Sequence, residues 1–200
     1  MASGVAPLAI FVCGKTVPNL VPQSSVSALL LPRIVGALAL RARTFAEVAA
    51  DPAAGFQAAF IVLLAAVFEA AIDAAEHGQT AIDGGPLTIA VFAATIGWLV
   101  WTLLAYGALR VLGPAVELGG LTRAIGFAHA PSLLFGLALL PGVRLLTGTL
   151  YIVTNLWFLA AVVQAIGGAS SAPPRQVLRV AAIAMVAHVL LQVVGRLLHV

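Results

Sequence analysis

His129 and Ser132 stand three residues apart in an otherwise apolar stretch, a base and a hydroxyl of the types that nucleophilic chemistry uses. Such a pair needs a third group to orient the base, and the sequence places none beside them. In helical bundles these residues more often hydrogen-bond to a neighbouring helix. The chain has no His-Glu-x-x-His, no Gly-x-Ser-x-Gly elbow and no glycine-rich phosphate loop. Its single cysteine, Cys13, has no partner for a disulfide and lies in no metal-ligand spacing. The expectation is a protein that is not an enzyme, with no metal and no cofactor.

The remaining polar groups inside apolar runs are Glu69, Asn155, Gln164, His188 and Gln192. In a bilayer a central charge costs about 2.5 to 3.5 kcal/mol on insertion scales, so each needs a physical reason. Glu69 lies two-thirds of the way along its run and is read as reaching the outer interface, in preference to a buried ion or proton site. His129, Asn155 and Gln164, and His188 with Gln192 one turn on, are read as contacts between helices.

Composition explains why hydrocarbon is the solvent in question. Of 200 residues 62% are hydrophobic and 8% charged, against about 25% charged in ordinary soluble domains. Lipid offers no hydrogen bonds, so the backbone must satisfy itself, and long apolar runs must be helices. The formal charge of +3 comes from scattered arginines that form no basic face, which argues against nucleic acid as a partner.

The fold class expected is all-α: a polytopic bundle of five transmembrane helices preceded by a short interfacial helix. The spans fall at about 56–75, 87–112, 125–140, 145–166 and 177–198. A crossing takes about 17 to 25 residues; the third run is short, so a re-entrant or interfacial helix is its alternative, and Pro131 in its interior predicts a kink. Residues 1–25 are expected to be a poorly ordered tail, 26–50 cytoplasmic interfacial helices, and 51–200 the membrane domain. Leu29, Leu30, Ile34, Val35 and Leu38 share one side of a helix that Pro32 interrupts. Thr44 and Glu47 have the spacing of a capping box, and Asp51-Pro52 reads as an N-cap followed by proline at the first helical position.

Lys15, Arg33, Arg41, Arg43, Arg110, Arg123, Arg175 and Arg179 fall on one side of a five-span arrangement, and Arg144 and Arg196 on the other. The positive-inside rule then puts the amino terminus in the cytoplasm and the carboxyl terminus outside. Arg33, Arg41, Arg43, Arg123, Arg175 and Arg179 are expected to meet anionic headgroups. The small-residue pairs Gly126/Ala130 and Ala161/Ala165 would allow close helix approach.

Three blocks carry a family resemblance: Arg43 to Pro52, Gly97-Trp98-Leu-Val-Trp101, and above all Thr122 to Pro131 with Gly126, Phe127, Ala128 and Pro131 in a Gly-aromatic-small-x-x-Pro pattern. The chain from about Pro32 onward resembles the bacterial branch of the Yip family. That resemblance implies a five-span fold with a cytosolic amino terminus, here in a bacterial inner membrane, and assigns Asp51, Pro52, Arg123, Gly126, Phe127, Ala128 and Pro131 to a structural motif. Eukaryotic members interact with Rab GTPases through an acidic-aromatic amino-terminal motif. Nothing in Met1 to Ala42 matches that motif, so Rab binding is not carried over. The functional expectation is a scaffold or organiser that binds lipid or other membrane proteins, including copies of itself, through helix faces lined by small residues and a cytoplasmic interfacial segment. The alternative is a small channel or transporter with a site near the kinked third span, and a polar cavity reaching His129 and Asn155 would favour it.

Overall fold

The computed structural model describes residues 29–78, 83–112, 116–140 and 142–198, with the side chains of Arg144 and of residues 191–198 outside that description. The tail expected over 1–25 also lies outside the described residues, as does the side chain of Gln192. The chain is all-α among the described residues: α1 (Leu30–Leu38), α2 (Ala42–Ala50), α3 (Ala54–Glu76), α4 (Gly84–Leu112), α5 (Leu118–Ala128), a 3-10 helix (Ala130–Leu139), a 3-10 turn (Arg144–Leu146), α6 (Thr147–Ala169) and α7 (Pro174–Leu198). Three helices, α3, α4 and α6, are long and apolar enough to cross a membrane. They expose Phe56, Phe60, Ile89, Phe92, Leu103 and Leu156, side chains that only a hydrocarbon surround would accept in such number.

The short third run lies at the centre of this arrangement. Leu121, Ala124, Ile125, Phe127, Ala128 and Ala130 are all 0% exposed, because α5 packs against α2, α3, α4 and α6 together. Gly126 explains how the helices come so close: a Cβ built there would stand 2.6 Å from the Ala58 Cβ and 3.2 Å from the Trp98 ring. Gly120 and Gly168 play the same part against α2. A Cβ at Gly120 would meet the Ala49 carbonyl oxygen at 3.0 Å, and one at Gly168 would meet Ala46 N and Phe45 Cβ at 2.8 Å.

These contacts gather the amino-terminal ends of α3 and α5 and the carboxyl-terminal end of α6 beside α2. At the other end, Ile72 of α3 and Phe135 of the 3-10 helix form a small apolar cluster with Leu150 of α6. Successive long segments therefore alternate in direction. Arg33, Arg41, Arg43 and Arg123 lie at the α2 end, and Asp73 and Glu76 at the opposite one.

Pro131 does more than kink the third run. Its missing amide hydrogen ends the α-helix at Ala128, and the chain continues for ten residues as a 3-10 helix, well beyond the usual length of three or four. Pro32 sits in the first turn of α1, where amides have no intrahelical partner, so it interrupts nothing. Only part of the expected α1 face points outward: Leu30, Ile34 and Leu38 pack on the core, while Leu29 and Val35 are exposed.

Three sequence expectations are corrected. Thr44 does not cap a helix: α2 starts at Ala42 after a turn in which Leu40 has φ 54°, and Thr44 is buried against Gly36. Glu47 pairs instead with Arg43 at 2.8 Å. Arg33 and Arg123 do not face headgroups either; their side chains are 12% and 13% exposed. Arg33 donates to Asp51 Oδ2 at 2.6 Å and to Gln57 Oε1 at 2.8 Å. Arg123 donates to the carbonyls of Val48 (3.2 Å) and Ala49 (2.5 Å), the open acceptors at the end of α2. Asp51 uses its other oxygen to accept from the Ala53 amide at 2.9 Å, within the turn that precedes α3; the helix starts at Ala54 with Ala53 as its N-cap, so neither Asp51 nor Pro52 holds the helix-start position expected for it.

Two stability outcomes follow. Gly126→Ala must push α5 away from α3 and should cost about 1 to 3 kcal/mol. Gly107→Ala, whose Cβ meets nothing within 4 Å, should be neutral or stabilising by up to about 1 kcal/mol; melting in detergent compares the two. The second outcome concerns Asp51, whose pKa the Arg33 hydrogen bond lowers from 3.8 against the opposing effect of burial. A carboxylate with a lowered folded-state pKa stabilises fully above its ordinary value and loses that contribution as pH falls through the folded value. Asp51→Asn should therefore melt lower than the parent at pH 7 and at pH 5, with the gap closing only below pH about 3.8. A gap already closed at pH 5 would remove the ion pair from the account.

Candidate binding cavity

A cavity of about 350 Å³ opens between α3, α4, the 3-10 helix, α6 and α7. Its size falls at the lower end of small-molecule sites, about 300 to 1,000 Å³. Each wall follows from the period of its element. Val62, Ala65, Ala66 and Glu69 of α3 sit at spacings of three and four, one face of an α-helix. The facing wall of α4 repeats the pattern with Ala90, Ala93, Ala94 and Gly97 before Trp98 and Trp101. The lack of bulk at those four α4 positions is what leaves the space.

The third wall depends on the break at Pro131. His129, Ser132 and Phe135 all line the cavity, and their spacing of three is the repeat of a 3-10 helix, in which such side chains eclipse one another. Continued as an α-helix, the same residues would fan across about a third of a turn. Tyr151, Asn155 and Phe158 of α6, and His188 of α7, complete the enclosure.

Four of the six polar residues singled out in the sequence thus meet in one place: Glu69, His129, Asn155 and His188. Gln164 lies farther along α6 and does not line the cavity. His129 places Nδ1 3.0 Å from the Ile125 carbonyl oxygen. As a donor there it holds its ring with Nε2 as the second polar atom, and that nitrogen contact is made with backbone, not with Ser132. Asn155 donates to the Tyr151 carbonyl at 2.8 Å. Among the described residues no three His, Cys, Asp or Glu groups converge in a way that could hold a metal.

Aromatic rings supply most of the remaining surface, and they brace one another. Trp101 meets Phe158 edge to face at 5.8 Å and the His188 ring at 5.1 Å. Phe158 also meets His129 at 4.8 Å, and Phe135 meets Tyr151 at 5.9 Å. Trp98 is fixed by its indole N–H, which donates to the Thr122 carbonyl at 2.9 Å. In the sequence, the signal that places Trp98, Trp101 and Tyr151 here is their helical register with Ala94, Gly97 and Asn155.

A second cavity of about 400 Å³ adjoins the first and shares Glu69, Phe135 and Tyr151 with it. It adds Ile72, Asp73 and Glu76 from the last turns of α3 and Thr147 and Gly148 from the start of α6. Glu69 is exposed where the two spaces join.

The motif residues Gly126, Phe127, Ala128 and Pro131 are buried behind this cavity, while Asp51 and Arg123 join α2 to α3 and α5. No curated protein and no solved structure matches the chain. A family model does: the Yip1 domain matches residues 19–195, and the chain belongs to the Yip family of membrane proteins.

Proposed function

We propose that this protein binds a small solute within the membrane and acts as a small transporter or channel. The observation that carries the reading is the cavity beside the broken third segment, where Glu69, His129, Asn155 and His188 converge. Broken helices lined by polar groups are how membrane bundles build such sites. The small-residue pairs on which a scaffold would rely, Gly126/Ala130 and Ala161/Ala165, are buried inside the bundle. A partner would not reach them.

The proposal includes five crossings. At 1.5 and 2.0 Å per residue, α5 and the 3-10 helix reach about 16 and 20 Å, so neither alone spans a hydrocarbon core of about 30 Å. Joined end to end they do. The alternating direction of the long segments, with Arg33, Arg41, Arg43 and Arg123 gathered at one end, supports a cytoplasmic amino terminus and an outward carboxyl terminus in a bacterial inner membrane.

Cysteine labelling tests both parts, starting from a Cys13→Ser parent. In intact cells an impermeant thiol reagent should label Asp83→Cys and not Glu117→Cys; labelling of both from outside would overturn the topology. In the purified protein a small charged thiol reagent should modify Ala94→Cys on the cavity wall within minutes and leave Ala58→Cys, which is 0% exposed, unmodified. Equal resistance at both positions would remove the solute-binding reading.

A further inference from the structure

We infer that the cavity is built for an organic cation, an amine or quaternary ammonium group held among aromatic rings beside the Glu69 carboxylate. The inference rests on the solute-binding reading and names its ligand class. Trp98, Trp101, Phe135, Tyr151 and Phe158 come from three different elements and all face one space. Aromatic faces carry negative quadrupole potential, and a cage of them is the standard protein device for a positive group too large and too weakly hydrated for hydrogen bonds. Neutral apolar solutes need no such concentration of rings, since aliphatic side chains would serve them equally.

Charge points the same way. Among the described residues Glu69 is the one acidic side chain on the inner cavity, and none that lines that space is Lys or Arg. Among the described residues Glu69 has no ion-pair partner. An anion would meet this carboxylate with no compensating cation. A cation lodged against Tyr151 and Phe135, the two rings shared by both cavities, would lie beside it.

The adjoining cavity gives such a ligand a route. Asp73 and Glu76 stand one and two turns beyond Glu69 on the same face of α3, at a helix end whose dipole is also negative. These groups raise the local concentration of cations at the mouth. The tighter aromatic enclosure then lies past Glu69.

Choline and its uncharged isostere 3,3-dimethylbutan-1-ol have the same shape and differ in charge, so they isolate the inference. The experiment titrates each into the full-length protein in a non-ionic detergent and follows tryptophan emission, to which Trp98 and Trp101 contribute from the cavity wall. Choline should saturate at a concentration at least tenfold lower than the alcohol. Glu69→Gln should remove that preference without lowering the melting temperature, since Glu69 is exposed. Tyr151→Leu, at a position 60% exposed, should weaken choline more than the alcohol.

Equal binding of the two compounds, binding of neither, or a preference that survives in Glu69→Gln would overturn the cation assignment. If Ala94→Cys is still labelled in that event, the solute-binding reading stands and only the ligand class falls. If Ala94→Cys is protected as well, both fall together.

Discussion

Hydrocarbon supplies no partner for a free amide or carbonyl, and this protein breaks a helix in the middle of its third long segment. The two facts are compatible because the chain stays helical past the break and packs one face of that stretch on its neighbours. A backbone that leaves α-helical geometry at His129 would cost several kcal/mol per unsatisfied group against lipid; here the 3-10 helix packs along α3 and α6 and buries Ala130, Pro131, Phe135 and Ala138. The packing in turn demands small residues, because backbones must approach closely from several directions at once. Gly120, Gly126 and Gly168 stand where a methyl group would collide with a neighbouring helix. Much of the architecture can be traced to protecting this one interruption.

The polar end of the bundle solves a related problem. Helix α2 stops at Ala50 and α3 begins at Ala54, leaving carbonyls at one helix end and amides at the next within a few residues. Arg123 arrives from α5 to meet the carbonyls, and Asp51 turns to meet an amide while pairing with Arg33. These are charge-assisted contacts at an interface, where partial desolvation strengthens them and water still relieves the cost of burying a charge. Trp157 of α6 extends the same pattern, donating to the Leu38 carbonyl at the end of α1. The two short amino-terminal helices are thereby joined to the long ones by hydrogen bonds as well as by packing.

What the sequence made legible follows from the range of each interaction. Apolar runs and their limits are local, and the helices α3, α4, α6 and α7 lie within a few residues of where hydropathy puts them. The break at Pro131 is local too. The 3-10 continuation is not, because it is held by packing from elements far away in the chain, and it alone brings His129, Ser132 and Phe135 into register. Arg123 was read as a headgroup ligand because its acceptors, at Val48 and Ala49, are 75 and 74 residues distant. Thr44 and Glu47 have a capping spacing that holds only if the helix starts at Thr44. The left-handed turn at Leu40 starts it earlier, and no pattern announces that a leucine will adopt φ 54°.

The cavity follows from the same geometry. Replacing Ala90, Ala94 or Gly97 by leucine would fill much of it with side chain at no cost to membrane insertion, since leucine is the more favourable residue in hydrocarbon. A chain this rich in leucine elsewhere has alanine and glycine along the one face of α4 that borders four polar side chains. The break in the third segment and the small residues of α4 are therefore two halves of one arrangement, the first aligning the polar wall and the second making room in front of it.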